Sequence, residues 1–248
     1  EYEKCDNYIT TGHYTKIINK DCKYHLAREK DINKDQTYFL HEVSEKEFSK
    51  CLFPLENLMK SEVRDIALKN NLVTANKKDS VGICFVGEKN LKDFLNRFIE
   101  FKKGNIKDEN NNVIGQHQGA ILYTQGQRQG LMIGGVKGKE ELPWYVYKKD
   151  IRNNEIYVCQ GGDNELLMNK GLYVEDINFI NDINYEYPIN CSVQVRHQHT
   201  PVKCVIEKLS NEIKVTFSEP IRAIAPGQSA VFYDSEICLG GGVICKTF

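Results

Sequence analysis

At 248 residues, 41% hydrophobic and 27% charged, the chain can bury a core and divide into two or three small domains, which excludes a disordered or fibrous protein. A net charge of −1 gives no basic excess, so any nucleic-acid surface has to be local. No run approaches the roughly 20 apolar residues of a bilayer span, there is no secretory pattern, and nine cysteines without a C-x-x-C pair fit a reducing compartment better than a disulfide framework or a structural zinc site.

The opening EYEKCDNYITTGHY begins at Glu1 and reads as a helix end running into a strand, which predicts that a front portion precedes it. Tyr8 and Ile9 lead into Thr11, Gly12 and His13 as a buried strand ending in a loop, where open α/β sheets place ligands. Ser44 with Glu47 predicts a capping box opening a short helix, and Val63, Ile66 and Ala67 mark the apolar face of another. The segment ICFV, with Cys84 at its centre, lies between Gly82 and Gly87 and reads as a short buried strand or an apolar loop.

Asn90 caps a predicted helix whose Leu91, Phe94, Leu95, Phe98 and Phe101 form one apolar stripe and open a second domain. KDENNN is a surface turn, and the glycine-rich stretch 115–135 has too many breakers for a long helix. From about Gly171 the pattern becomes short strands. Cys191, Val193 and Val195 alternate with Ser192, Gln194 and Arg196, and Ile213, Val215 and Phe217 alternate with polar partners, which predicts a small closed barrel.

Several residues have chemistry to offer. Cys84 alone reads as a small buried hydrophobe, although its flanking glycines suit a nucleophile presented on a loop. Gly12 permits close approach of a nucleotide, and His13 offers a hydrogen bond to a base or phosphate. Lys34, Asp35 and Gln36 place a cation, an acceptor and an amide side by side. Stretch 115–135 contains neither a dinucleotide fingerprint nor a phosphate loop, which leaves Gln127 and Arg128 as backbone-phosphate candidates. Alternation puts Arg196 on the polar face of its strand, and His197 and Gln228 lie near turns.

Taken in order, TTGHY, KDQTYFL, FPLENLMKSEVRDIA, DSVGICFVGE, GQHQGAILYTQGQRQGLMIGG, PWYV and APGQSAVFYDSEICLGGG resemble the blocks of the bacterial and organellar tRNA-specific 2-thiouridylases, over essentially the whole chain. The resemblance implies an α/β plus β fold. Residues 1–92 would be the C-terminal part of a PP-loop catalytic domain (adenine nucleotide alpha hydrolase-like, Rossmann-like), 93–163 a small central domain, and 164–248 a C-terminal β-barrel that binds tRNA. It implies ATP, with Mg²⁺ as its companion, adenylating the C2 oxygen of the wobble uridine, and sulfur delivered from a persulfide on Cys84. A second, family-typical cysteine would then leave a disulfide with Cys84.

Carried onto this chain, the resemblance assigns Gly12 to ATP and His13, Lys34, Asp35, Gln36, Arg196, His197 and Gln228 to tRNA. The implied partners are the anticodon region of tRNA and a persulfide sulfur-donor protein, with no membrane, in the cytoplasm or an organelle matrix. The SGGVDSS-type PP-loop and the block holding the catalytic Asp and second cysteine do not occur, and Cys5 does not fill that role. Glu56 stands where Gly is common and Thr10 where Ala is usual. The chain as given is therefore expected to lack residues required for activity. The alternative readings are a stand-alone tRNA-binding module without catalysis and a different PP-loop enzyme.

Overall fold

The computed structural model describes residues 8–77, 94–136, 138–181, 183–210 and 212–248. They form two compact units, one drawn from residues 8–77, 170–220 and 226–248, the other from residues 94–169 and 221–225. Cys84 and Cys5 lie outside the described residues.

The first unit opens with β1 (Ile9–Thr10), β2 (Lys16–Lys20), β3 (Lys23–Ala27), α1 (Glu45–Phe48), β4 (Cys51–Leu52) and α2 (Lys60–Lys69). β1 pairs in parallel with β4, Ile9 opposite Cys51, as a doubly wound domain requires. The expected burial of this strand is not found: Ile9 is 64% exposed, because β4 is the only strand paired with it among the described residues. α1 follows Ser44, but the Ser44 side chain makes no capping bond. The Glu45 carboxylate instead turns outward to accept the Tyr24 N–H at 3.1 Å. α2 buries none of its residues, so its expected apolar face is open, with Ile66 47% exposed. Its N-terminal amides are held by carboxylates: Glu62 accepts from Met59 N–H at 2.6 Å and Asp31 from Lys60 N–H at 3.0 Å.

The second unit contains β5 (Gly104–Lys107), β6 (Val113–His117), β7 (Trp144–Asp150) and β8 (Glu155–Gln160), in the order β6-β5-β8-β7 with β5 and β8 parallel. Ile106, Val146, Ile156 and Val158 are fully buried at its centre. The turn expected at 107–112 is present, and the Asp108 carboxylate organises it by accepting the N–H groups of Asn110 and Asn112, each at 2.9 Å. Asn90 and Leu91 lie outside the described residues, and the rest of the predicted stripe does not continue as one helix. Phe94 and Leu95 are helical, the chain turns at 96–98, and Phe98 is left 72% exposed with its ring 5.4 Å from that of Phe94.

The remaining strands, β9 (Met168–Phe179), β10 (Ile189–Gln194), β11 (Val202–Lys208), β12 (Ile213–Arg222), β13 (Ser229–Asp234) and β14 (Ile237–Thr247), build a six-stranded barrel in the order β13-β10-β11-β12-β9-β14, closed by β13 against β14. Closure removes the sheet edges, and alternation turns Val193, Ile206, Val215 and Phe232 inward. Two strands are longer than expected, β9 with 12 residues and β14 with 11, and their pairing shifts register between Gly241 and Val243. Glycine is needed there: a Cβ on Gly241 would lie 2.6 Å from the Ala230 carbonyl oxygen and 2.9 Å from His41 Nδ1. The β2–β3 hairpin adds itself to this barrel, Ala27 pairing with Ile237 of β14. That pairing is why the N-terminal segment and the barrel belong to one unit.

Candidate nucleic-acid interface

β3 ends at Ala27 and releases a loop that runs to the single turn of 3-10 helix at Thr37–Phe39. Buried polar groups between the loop and the outer face of the barrel fix it. The Arg28 guanidinium gives Nη1 to Asp35 Oδ2 at 3.1 Å and Nη2 to Gln194 Oε1 at 2.6 Å, and it lies 3.8 Å from the centroid of the Tyr233 ring. Thr37 donates its hydroxyl to Asp35 Oδ1 at 2.9 Å and its N–H to the same oxygen at 3.1 Å. Both residues are buried. The Asp35 carboxylate thus points inward as the loop's internal anchor, while its backbone oxygen accepts from His197 Nε2 at 3.3 Å.

Neighbouring bonds extend the chain of contacts in both directions. Gln36 is strapped to Tyr14 twice, accepting the Tyr14 N–H at 2.9 Å through its side chain and donating its own N–H to the Tyr14 carbonyl at 2.9 Å. Tyr14 follows directly on His13, whose Nδ1 lies 2.8 Å from Thr11 Oγ1 and whose ring packs edge-on against Phe53 with centroids 6.5 Å apart. Arg196 Nε donates to Gln228 Oε1 at 3.2 Å, and the Arg196 carbonyl accepts from Gln194 Nε2 at 3.2 Å. The loop at 11–15, the loop at 28–36, the turn at 195–201 and the turn holding Gln228 therefore meet in one hydrogen-bonded array. Its hydrogen bonds join Asp35, Gln36, Arg196, His197 and Gln228, drawn with Tyr14 from four separate stretches of sequence, while His13 and Lys34 are the chain neighbours of Tyr14 and Asp35.

Two expectations about β10 change. The strand ends at Gln194, so Arg196 sits in the following turn rather than on a strand face. Gln194, expected on the polar side, is 3% exposed, because its amide is consumed by Arg28 and the Arg196 carbonyl. Arg28 falls in no motif, and Thr37 and Phe39 of the KDQTYFL block and Gln194 of the alternating strand carry no site assignment in the sequence. Phe39 is 58% exposed, and its ring centroid stands 4.4 Å from that of His197, a pair of flat faces at the rim of the array. Tyr38 anchors the same turn through its hydroxyl on the Ser229 carbonyl at 2.9 Å, and burial raises its pKa. Burial, with Arg196 second, lowers the pKa of His199 at the edge of the turn.

Gly12 is exposed just beyond the carboxyl end of β1, and a Cβ there would meet only Leu55 Cδ1, at the ordinary distance of 3.8 Å. The strand end is thus open on the side where an α/β sheet receives a nucleotide, and it fits part of such a site. In the second unit, Gln127 turns both ends of its amide onto its own loop, accepting from Thr124 N–H and donating to the Gln129 carbonyl, each at 2.9 Å, while Arg128 is exposed. No group of three or more His, Cys, Asp or Glu side chains placed to hold a metal occurs among the described residues. Nor is any helix among them long and apolar enough to cross a membrane.

Comparison with known proteins covers the chain in three parts. Residues 1–88 match the family model described as tRNA methyl transferase HUP domain, residues 92–160 the tRNA methyl transferase PRC-barrel domain, and residues 169–244 the aminomethyltransferase beta-barrel domain. A protein named tRNA-specific 2-thiouridylase MnmA from Buchnera aphidicola subsp. Baizongia pistaciae is 48% identical over 242 residues, covering 97% of this chain and 65% of that protein. Proteins of the same name from Pseudomonas fluorescens and Francisella tularensis subsp. novicida are 48% and 45% identical, covering 95% and 96% of this chain and 63% and 67% of theirs. The chain thus spans about two thirds of the length of these relatives.

Proposed function

The chain belongs to the tRNA-specific 2-thiouridylase family, and from that premise we propose that it is part of an enzyme that thiolates a uridine of tRNA. The observation that carries this reading is the array of Tyr14, Gln36, Asp35, His197, Arg196 and Gln228, which brings four loops, with His13 beside Tyr14, to one place on a chain without a basic excess. Lys34 and Arg196 would meet phosphate, and His13, Gln36, His197 and Gln228 would set the position of the RNA. Asp35 would act from behind by holding the loop's shape.

In this reading the wobble uridine is splayed out of the anticodon loop. ATP, with its Mg²⁺, supplies the adenylate that makes the uridine C2 oxygen a leaving group, and Gly12 leaves room for it beside the strand end. Cys84 carries a persulfide delivered by a donor protein. Its outer sulfur bonds to C2 as the bond to the adenylated oxygen breaks, and a second cysteine closes a disulfide with Cys84 in completing the transfer. The reaction would take place in the cytoplasm or an organelle matrix.

The test uses the protein at the full length of its relatives, with ATP, tRNA and a persulfide donor. Cys84→Ser is expected to abolish 2-thiouridine while tRNA binding persists. Thiolation that survives this change removes Cys84 from the mechanism. Binding of tRNA with no thiolation even when Cys84 is intact would favour the binding-module reading.

A further inference from the structure

The β10–β11 hairpin carries two thiols that the thiolation chemistry leaves unused. Cys191 and Cys204 are direct partners across the antiparallel ladder, their sulfurs are 3.6 Å apart, and both are free. Directly opposed residues on such a ladder have Cα atoms about 4.5–5.5 Å apart, within the roughly 4.4–6.8 Å that disulfides span. Joining the sulfurs therefore asks for side-chain rotation without backbone movement. A cleft of about 540 Å³ opens at the pair, lined also by Ser192, Lys203, Thr216 and Phe217. Cys204 is 4% exposed and Cys191 half-buried, so a reagent entering the cleft reaches Cys191 first.

We propose that Cys191 and Cys204 form a reversible cross-strand disulfide by exchange with small-molecule disulfides of the glutathione class. The Cys191 thiolate attacks one sulfur of the small disulfide. A mixed disulfide forms on Cys191, the first small thiolate leaves, and it takes up the proton that Cys191 gave to solvent. Cys204 then attacks the Cys191 sulfur, the mixed disulfide breaks, and the second small thiolate leaves and is protonated in its turn. One small disulfide and two protein thiols become one protein disulfide and two small thiols. The hydrogen bond with Cys191, followed by burial, raises the pKa of the Cys204 thiol, which makes it the resolving rather than the attacking group.

The two cysteines stand at the base of the turn 195–201 that presents Arg196 and His197, so the bond would staple the hairpin below the RNA-facing residues. The inference stands on the hairpin geometry and does not depend on the thiolation reading.

The purified chain is equilibrated with mixtures of oxidised and reduced glutathione, quenched in acid, alkylated and mapped by peptide mass spectrometry. The expected result is loss of the two thiols at 191 and 204, a peptide linked between them, and recovery of both thiols on adding dithiothreitol. Cys204→Ser should stop at a glutathione adduct on Cys191, and Cys191→Ser should leave Cys204 unmodified. A wild-type map with no linked peptide, or with Cys191 resting as an unresolved adduct, overturns the proposal. The wild-type map decides alone if a serine variant does not fold.

Discussion

Arg28 and Asp35 form an ion pair inside the first unit, with Nη1 3.1 Å from Oδ2 and the two side chains only 15% and 6% exposed. The guanidinium has a second duty on Gln194, so one side chain ties the loop at 28–36 to the end of β10. Removing it leaves a carboxylate buried without its countercharge and a buried amide without its donor. Arg28→Ala is therefore expected to cost about 3–5 kcal/mol of stability. Arg28→Lys keeps the charge but replaces a planar fork with a point donor, and should cost less than the alanine change. Urea unfolding at neutral pH checks both; an alanine variant within about 1 kcal/mol of wild type would show that the pair is not what holds the loop.

The barrel is readable in the sequence because strands with one face in a core announce themselves by period-two alternation, as at 191–195 and 213–217. The attachment of β2–β3 to β14 is not readable, since Ala27 and Ile237 meet only through a pairing between distant parts of the chain. Local rules also failed where tertiary contacts override them. Gln194 is polar and buried because Arg28 is there to meet it, and Ser44 leaves its capping bond unmade. The seven residues assigned to tRNA come from resemblance to a family, and of these Asp35 turns inward onto Arg28, which holds the loop and stands alone in LAREKD, matching no motif. Cys84 carries the chemical reading, and it rests on the sequence.

His117 in the second unit is fixed in one neutral form. Its Nδ1 accepts the Gly119 N–H at 3.0 Å, and its Nε2 donates to the Asn154 carbonyl at 3.2 Å. Burial lowers its pKa below the ordinary 6.5, and protonating Nδ1 would turn the Gly119 contact into two facing donors. The unfolded chain takes up this proton at a higher pH than the folded chain does. Stability from this residue is thus fully present above about pH 6.5 and is lost as the pH falls from there through the lowered folded value. Melting temperatures at pH 7.5, 6.5 and 5.5 are expected to fall in that order, and His117→Gln should flatten the part of the fall due to this ring. An unchanged slope in the variant would remove His117 as its source.

Gly240 begins the run of three glycines in β14 and has φ +134°, a backbone angle that side chains with a Cβ rarely adopt. A Cβ there would also collide with the Asn178 carbonyl oxygen of β9. Gly240→Ala must distort the β9–β14 ladder of the barrel, and a loss of about 3 kcal/mol or more is expected. Gly12→Ala, which meets nothing closer than 3.8 Å, should leave the melting temperature where it is. Thermal unfolding of the two variants side by side checks the contrast, and equal stability for both would mean that β14 yields locally at Gly240.

Arg196 and Gln228 would separate charge from orientation in the proposed contact with RNA. Arg196 brings a cation, while Gln228 contributes only the oxygen that receives Arg196 Nε at 3.2 Å. If Arg196 meets a phosphate, Arg196→Ala should weaken tRNA binding by about tenfold and lower the slope of log affinity against log salt by about 1. Gln228→Ala keeps the charge and loosens its aim, so it should weaken binding less and leave the salt slope unchanged. Fluorescence anisotropy with labelled tRNA at four or five salt concentrations distinguishes the two. A chain whose affinity and salt slope ignore the loss of Arg196 would place the RNA on another face, and the array at 34–36 and 196–197 would then serve the packing of loops onto the barrel.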